Sequence, residues 1–348
     1  GELNRYIIEI PVENGIINGP DRAPDAIGPV SNNDDFTNKS SFVDKNTKPD
    51  SKIDPSSVPF TNTVKNNGTS PNPLSLLPTP PKTPGDLPTN TTVTITYESQ
   101  SKTYIWDGTQ FTIGGSPVDD KSDYITTSRP IAPGESINYG VEVNLPPNTP
   151  LSTDTEKGFP VPITAFIDDA NPGLVNTEPQ NTTIDRVYVG FLRMLKESRV
   201  LPGNGPAVQG TDGDWSSTPK KPAPGNIVEY RIRYKNISEA QAGSKNVLLE
   251  ADKVVILEDG TTAASGGVNN WAMDNDKDGR IDTSNIVGSA KDSGASTIQF
   301  YSGQPANNLA IDQTGTTATT DVSKYVNTVN GKVAPGEERT FTFQRKVN

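Results

Sequence analysis

The chain has 348 residues, including 31 Pro and 30 Gly, with 31% hydrophobic residues and a formal net charge of -11 at pH 7. The low apolar content predicts thin cores and long loops, which suits β-sandwiches. The negative charge argues against nucleic-acid binding, which needs clustered Lys and Arg. The chain contains no His and no Cys, so it lacks the commonest general base, the usual zinc ligands and any disulfide. No run of about 18 apolar residues occurs, so no membrane span is predicted.

The chain begins with a strand pattern at residues 1–17. Side chains alternate between the two faces of a strand, and one face here carries Tyr6, Ile8, Ile10 and Val12. Residues 18–57 are rich in Pro, Asn and Asp, and their apolar residues lie far apart. Such a segment cannot bury enough surface to fold alone, so it is predicted to be a flexible tether. The N-terminal strand is therefore expected to lie apart from any domain.

A first β-sandwich domain is predicted over residues 58–190. Its strand patterns are residues 60–64, 93–97, 103–106, 111–113, 137–143 and 161–167. Residues 74–88 are rich in Pro, which removes backbone donors, so they are predicted to form a rigid loop and not a central strand. Residues 184–201 are apolar on both faces, and their β-branched start favours a long strand that leaves this domain and enters the next.

A second β-sandwich domain is predicted over residues 191–348. Its clearest strand is residues 228–235, where apolar and charged side chains alternate. Further strands are predicted at residues 247–249, 254–257, 297–301 and 339–347. Residues 322–329 have apolar positions at helical spacing but are rich in Val and Thr, so the sequence leaves their type open.

A Pro-Gly turn followed by an alternating strand occurs three times, as APG at residues 132–134, 223–225 and 334–336. A repeat of this kind indicates repeated sandwich domains, because each sheet must cover its apolar face with a second sheet. The predicted fold is therefore all-β, with two tandem sandwich domains and an extended N-terminal strand.

Residues 224–238, PGNIVEYRIRYKNIS, resemble the Pro-Gly-x-x-Val-x-Tyr-x-Ile-x-x-x-Asn hallmark of a repeat family of unknown function. This family is found in secreted bacterial and archaeal surface proteins, including cyanobacterial ones. Residues 60–68, FTNTVKNNG, are similar to a variant of the same strand, and the likeness covers about residues 58–348. The resemblance implies immunoglobulin-like sandwiches and an exported, extracellular or cell-surface protein. It implies no known activity, because the repeat has no assigned chemistry.

The two domains differ at their C-terminal ends. In the first, the APG strand precedes a further strand at residues 161–167, whereas the second ends at Asn348 directly after its APG strand. The second domain is therefore expected to be one strand short and to expose an apolar groove with unpaired backbone groups. Three fates remain for the N-terminal strand: it completes the second domain of a neighbouring subunit, pairs with its own domains, or stays disordered. Donation to a neighbour would give an open polymer of identical subunits.

The sequence DNDKDGRID at residues 274–282 has the spacing of a calcium-binding loop. Its predicted ligands are the side chains of Asp274, Asp276, Asp278 and Asp282 and the backbone carbonyl of Arg280. Asn285 replaces the usual Glu at position 12, and no helices are predicted beside the loop, so this is not an EF-hand. The sequence predicts a structural calcium ion here, and a solvated Asp-rich turn is the alternative.

Other candidate sites are weaker. Asp168 with Asp169 could be read as a carboxylate pair for glycoside hydrolysis, but adjacent strand residues point in opposite directions, which favours solvated acids. Trp106, Trp215 and Trp271 could form a sugar platform, although Trp residues more often fill a thin core.

These patterns predict a secreted, non-enzymatic structural subunit that builds a cell-surface filament, sheath or layer by strand donation. Its expected partners are identical subunits and not nucleic acid, with cell-envelope polysaccharide as a further candidate. The alternative is a monomeric cell-surface adhesin or carbohydrate-binding module.

Overall fold

The computed structural model describes residues 13, 15–153, 158–169, 171–240, 242–262, 271–309 and 321–348. Within these residues the protein is all-β, and its helical elements are two short 3₁₀ helices, Pro84–Asp86 and Lys121–Asp123. The chain divides into two compact units. The first includes residues up to Phe191 and Ser238–Leu249, and the second comprises Leu192–Ile237 and Glu250–Asn348. The all-β fold predicted from the sequence is confirmed.

The first unit is a sandwich of two large sheets. Its described strands are β1 (Ile16–Pro20), β2 (Phe36–Ser41), β3 (Lys52–Ile53), β4 (Val58–Asn66), β5 (Ser75–Pro78), β6 (Thr92–Tyr97), β7 (Gln100–Trp106), β8 (Phe111–Ile113), β9 (Ser116–Pro117), β10 (Ile125–Thr126), β11 (Ser136–Asn144), β12 (Thr149–Pro150), β13 (Phe159–Phe166) and β14 (Gln180–Val189). One sheet has the order β1-β4-β11-β6-β7-β8-β9, the other has the order β10-β5-β13-β14-β2, and β12 pairs with β3. Strands β14 and β2 are parallel. Both large sheets contribute to one hydrophobic core, in which Trp106 is fully buried.

The second unit is also built from two sheets. Its described strands are β15 (Leu192–Leu201), β16 (Ile227–Asn236), β17 (Val255–Asp259), β18 (Thr283–Asn285), β19 (Lys291–Asp292), β20 (Ser296–Ser302), β21 (Asn308–Leu309), β22 (Val322–Val329) and β23 (Glu338–Val347). One sheet has the order β15-β16-β23-β18, with β19 also on β23, and the other has the order β17-β22-β20-β21. Phe341, Phe343 and Tyr325 are fully buried between them.

The prediction of a flexible tether at residues 18–57 is wrong. This segment contains most of β1 together with β2 and β3, and its Phe36 is fully buried. Residues 16 and 17, assigned by sequence to the separate N-terminal strand, also belong to β1. Since β1 pairs with β4 and β2 pairs with β14, the segment packs on apolar surface that other strands supply. Its low apolar content excludes independent folding but not the addition of strands to existing sheet edges.

The prediction of a loop at residues 74–88 is wrong at its start, because β5 lies between β10 and β13. Strand β10 pairs with Ser75 and Leu76 and extends no further along β5. Pro78 lies beyond this pairing, so its missing N–H leaves no ladder hydrogen bond unmade.

In three other segments the secondary structure differs from the prediction or decides between alternatives that the sequence left open. Residues 184–201 form two strands, β14 and β15, separated at Gly190, whose φ is 78°. Residues 322–329 form strand β22. Residues 247–249 form no strand, and Val247 makes a single bridge to Thr37.

A buried Asn fastens the Pro-Gly turn of the first unit. At the end of β4, the Asn66 N–H donates to the Glu135 carbonyl at 3.0 Å, and the Asn66 carbonyl accepts from the Gly134 N–H at 2.8 Å. The Asn66 side chain donates from Nδ2 to the Ile131 carbonyl at 2.8 Å. These bonds fix the end of β4 to the start of β11.

The second unit repeats this arrangement. The Asn236 N–H donates to the Glu337 carbonyl at 3.0 Å, and the Asn236 carbonyl accepts from the Gly336 N–H at 2.8 Å. Asn236 Nδ2 donates to the Val333 carbonyl at 3.0 Å. Strands β16 and β23 are therefore equivalent to β4 and β11, and Asn236 is the Asn that closes the repeated sequence pattern.

We expect Asn66→Ala to destabilise the protein by about 1–3 kcal/mol, because the buried Ile131 carbonyl loses its side-chain donor. Urea unfolding followed by Trp fluorescence measures the change. Asn67→Ala is the matched control, since Asn67 is exposed and its substitution should change stability little. Equal losses from the two variants would contradict a specific role for Asn66.

Candidate functional site

The equivalence of the two units extends to β5 and β17. In the first unit Asn72 and Ile131 exchange backbone hydrogen bonds of 3.1 and 2.8 Å shortly before β5 begins. In the second unit Ala251 and Val333 do the same at 3.0 and 2.8 Å shortly before β17 begins. Both strands are therefore aligned by the same bridge to the segment before the Pro-Gly turn.

The next backbone bonds set the register. The Thr127 N–H donates to the Leu74 carbonyl at 2.9 Å, and the Val329 N–H donates to the Val254 carbonyl at 2.9 Å. Leu74 is thus equivalent to Val254. Counting along the strands, Ser75 corresponds to Val255 and Leu77 corresponds to Leu257.

In the first unit, β5 has a neighbour on both sides. Strand β13 pairs antiparallel with β5 and places Thr164 opposite Leu77. The Thr79 N–H donates to the Pro162 carbonyl at 2.9 Å, and alternate residues of an antiparallel strand direct their backbone groups to the same neighbour. Ser75 and Leu77 therefore face β13 with their backbone groups. The Leu77 side chain is buried in a small cluster with Tyr124 and Phe166.

In the second unit, β17 pairs with β22, and no strand in the described part of the chain lies on its other side. Since Val254 bonds to β22, Val255 and Leu257 direct their backbone groups away from β22. Their side chains are 53% and 61% exposed. Strand β17 is therefore an open edge that combines exposed apolar side chains with unpaired backbone groups, which proteins usually protect.

A cavity of about 640 Å³ lies next to this edge. It is lined on one side by Lys196 and Ser198 of β15 and by Tyr230 of β16, and on another side by Trp271. Lys196 forms an ion pair with Glu258 of β17, and Glu258 accepts a hydrogen bond from Trp271 Nε1 at 2.9 Å. Lys196 and Trp271 thus place the cavity near Glu258, but no residue of β17 itself lines it.

The corresponding space in the first unit is filled by β13 and β14. Strand β1, which pairs with β4 as β15 pairs with β16, lies over them. Asn18 of β1 donates from Nδ2 to the Ile163 carbonyl of β13 at 2.9 Å, and its backbone N–H donates to Asn181 Oδ1 of β14 at 2.6 Å. The described residues of the second unit thus lack the three strands that follow β5 in the sheet order of the first unit, β13, β14 and β2, where the sequence indicated one missing strand.

The proposed donor residues Tyr6, Ile8, Ile10 and Val12 lie outside the described residues. Glu13, which follows them, is held to the first unit: the Thr69 N–H donates to the Glu13 carbonyl at 2.8 Å, and the Glu13 N–H donates to Thr69 Oγ1 at 2.8 Å. Glu13 is therefore attached to the first unit, and no long tether separates it from β1.

The predicted calcium loop brings three of its carboxylates together. Asp274, Asp276 and Asp282 each place one oxygen within 4.8 Å of the others. Asp274 is oriented by backbone donors, with the Gly279 N–H at 3.0 Å and the Asp278 N–H at 3.1 Å. Gly279 has a φ of 88°, which provides the sharp turn. An all-oxygen set of this kind suits a hard cation such as calcium.

Asp278 is not among the converging carboxylates. Its Oδ1 accepts from the Arg280 N–H at 2.8 Å, so it stabilises the turn. Asn285, which replaces the usual bidentate Glu, is buried and accepts from the Tyr325 hydroxyl at 2.6 Å. Calcium binding at the three convergent carboxylates, with the Arg280 carbonyl as a further ligand, stays a prediction.

The weaker candidates have structural partners. Asp168, Asp169 and Glu178 also converge within 4.8 Å, but Asp168 forms a 2.8 Å ion pair with Lys121. Glu178 accepts from the Asp169 N–H at 2.8 Å. This group is therefore compensated within the unit.

The three Trp residues form no common platform. Trp106 and Trp271 are buried in the cores of different units. The Trp215 ring lies against the guanidinium groups of Arg199 and Arg231, at 4.7 and 4.3 Å from its centre. Both contacts are cation-π interactions that occupy the ring.

No protein-family model and no curated protein matches the chain. One solved structure found by comparison is a chain named BspA_C_WT, at 9% identity and a TM-score of 0.31, covering 89% of this chain and 91% of that chain. Another is a two-domain protein of unknown function from Bacteroides fragilis, at 9% identity and a TM-score of 0.22, covering 94% of each chain. Scores this low carry no functional argument, and the resemblance to the surface-protein repeat family stays a prediction. Among the described residues, no helix is long and apolar enough to cross a membrane.

We expect calcium to raise the melting temperature of the second unit, because an ion that binds the folded state stabilises it by mass action. At a calcium concentration tenfold above the dissociation constant the gain is about 1.4 kcal/mol. Differential scanning calorimetry with calcium or a chelator measures it. Asp274→Asn should remove this part of the shift, whereas Asp252→Asn, at an exposed position, should leave it intact. A shift that persists in Asp274→Asn would argue against the loop.

Proposed function

We propose that the protein is a non-enzymatic extracellular structural subunit. In this proposal, residues 3–12 of one subunit add a strand to β17 in the second unit of a neighbouring subunit, and repetition of this contact builds a filament, sheath or layer. The observation that supports it is the open edge of β17, at the position where the first unit has β13.

The sequence of the N-terminal segment fits this edge. An added strand supplies partners for the outward backbone groups of Val255 and Leu257. With one face toward the interior, Tyr6, Ile8, Ile10 and Val12 would pack against the apolar side chains between the sheets, and Arg5 and Glu9 on the other face would stay at the surface. Each buried apolar side chain contributes about 1.5–3 kcal/mol.

The anchored position of Glu13 limits the geometry of assembly. About twelve residues precede it, and a fully extended chain spans roughly 3.3–3.6 Å per residue, so the donor reaches about 40 Å at most. A donor this short would hold the acceptor unit close to the first unit of the donating subunit. The contact is heterologous, so it forms an open polymer unless its rotation closes a ring.

The alternative of a monomeric adhesin or carbohydrate-binding module has less support. Trp106 and Trp271 are buried, and Trp215 is covered by two Arg side chains. A sugar-binding platform built on these Trp residues would need an exposed Trp face.

We expect Leu257→Lys to shorten the polymers while the protein stays folded, because Lys on an edge strand disfavours the addition of a further strand. Leu309→Lys is the matched control, since Leu309 is equally exposed, at 61%, and lies on β21 at the other edge of the same sheet. Negative-stain electron microscopy and analytical ultracentrifugation report polymer length, and circular dichroism reports folding. Deletion of residues 1–12 should have the same effect as Leu257→Lys. Polymers of unchanged length from either variant would refute the proposal.

We expect strand donation to occur between molecules. Because the chain has no Cys, Ile8→Cys and Leu257→Cys can be introduced into separate preparations, mixed and joined with a short bismaleimide. A mixed dimer on a denaturing gel is the expected product. A chain that carries both substitutions is the second sample. If only this chain is cross-linked, and only within one molecule, the segment pairs within its own subunit. If neither the mixed preparations nor the doubly substituted chain gives a cross-link, the N-terminal segment does not lie beside β17, and the proposal is contradicted.

A further inference from the structure

Among the buried side-chain oxygens of the first unit that have no hydrogen-bond partner in the described part of the chain, four lie in one region. They are Asp35 Oδ2, Thr37 Oγ1, Asn62 Oδ1 and Asp185 Oδ1. The relative exposure of these residues is 0% for Asp35, Asn62 and Asp185 and 3% for Thr37. Unpaired buried polar atoms are uncommon because each costs free energy. Four such atoms therefore indicate a missing partner.

The sheet register places the four residues together. Thr37 and Asp185 are direct partners in the parallel pair β2 and β14. Asp35 lies two residues before Thr37 and so shares its face. Asn62 lies on β4 in the opposite sheet, and its Nδ2 donates to Asp185 Oδ2 at 2.9 Å. The four oxygens thus belong to one region between the two sheets.

The two carboxyl groups have no counter-ion. In the described part of the chain neither Asp35 nor Asp185 forms an ion pair, and Asp35 Oδ1 accepts only a neutral hydrogen bond, from Thr183 Oγ1 at 2.5 Å. Lys39 is the cation whose charge acts on Asp185, but its Nζ donates to the Pro59 carbonyl at 2.6 Å. Burial raises the pKa of Asp35 to about 8 and that of Asp185 to about 7. Ionising either carboxyl therefore costs free energy unless a cation is present.

We propose that these residues bind a calcium ion between the two sheets of the first unit. The ligands are one carboxylate oxygen each of Asp35 and Asp185, together with Thr37 Oγ1 and Asn62 Oδ1. Two carboxylates balance the charge of the ion, and calcium prefers oxygen ligands. The neutral oxygens of Thr37 and Asn62 point to a ligand independently of the two acids. The site is separate from the Asp274 loop and does not depend on the proposed function.

Such an ion would also explain how a segment with few apolar residues is held in the fold. Asp35 and Thr37 come from the start of the segment that forms β2, whereas Asp185 and Asn62 come from the central strands β14 and β4. The ion would therefore fasten β2 to the body of the unit.

The test uses the full chain with the loop disabled by Asp274→Ala and Asp276→Ala, so that calcium at the loop is not counted. This parent is unfolded in urea with a chelator and refolded with calcium, and bound calcium is measured by atomic emission after dialysis and by isothermal titration. We expect about one calcium ion per chain. Asp185→Asn should lower the affinity at least ~10-fold, since one of two charged ligands is lost, and Thr37→Val should lower it less. Asp168→Asn, at an acid that Lys121 already compensates, should leave binding unchanged.

The melting temperature in the presence of a chelator distinguishes lost calcium binding from a folding defect. Without calcium, Asp185→Asn should melt no lower than the parent, because the amide needs no counter-ion, whereas added calcium should raise the melting temperature of the parent alone. A parent that binds no calcium at millimolar concentration would overturn the proposal, as would an Asp185→Asn variant with unchanged affinity. If Asp185→Asn does not fold, Thr37→Val gives the decision, because it removes a ligand without changing the charge.

Discussion

The hydrogen bonds between a buried Asn and the Pro-Gly turn determine the arrangement of each unit. Asn66 and Asn236 join the end of one central strand to the start of its partner. The segment before each turn then bridges to a residue shortly before β5 or β17, with one more residue between bridge and strand in the second unit. The position and register of these strands therefore follow from the clamp. For this reason a residue-by-residue comparison of the two units is possible although their sequences differ.

The comparison of the two units shows why the open edge of β17 is unusual. An exposed strand by itself is a common feature, but β17 corresponds to a strand that has two neighbours in the first unit. Leu77 is 6% exposed, whereas its equivalent Leu257 is 61% exposed. Leu77 is covered by Phe166 of β13 and by Tyr124, with Val118 and Leu174 packed beside them, whereas no such cluster covers Leu257 among the described residues.

Much of the fold could be predicted from alternating patterns. Strands such as β4, β11, β16 and β23 bury every second residue against the opposite sheet, and this period is visible in the sequence. Strands β1 and β2 could not be found in this way, because their burial depends on neighbours far along the chain, and Asn18, Asp35 and Asn38 are buried polar residues. Strand β5 was not predicted because it contains Pro78. Pro78 is tolerated there because β10 ends before it and needs no N–H from it, which the sequence alone does not show.

Part of the geometry of the Asp274 loop could be predicted from the sequence. The spacing of Asp274, Asp276 and Asp282 predicted their convergence, because ligands at alternate positions of a tight turn point inward. The inward turn of Asn285 toward Tyr325 depends on a strand pairing that no local pattern contains. The oxygens around Asp185 come from three strands of two sheets, so sequence spacing gave no sign of them.

The attachment of Glu13 beside Thr69 has a mechanical consequence for any polymer built through the N-terminal segment. Pulling on the segment would transmit force through Glu13 into β1 and its antiparallel partner β4. The load would run along these strands and strain many backbone hydrogen bonds at once, and not one after another. A subunit joined in this way would behave as a stiff link under tension, with the clamp at Asn66 directly behind the loaded strand.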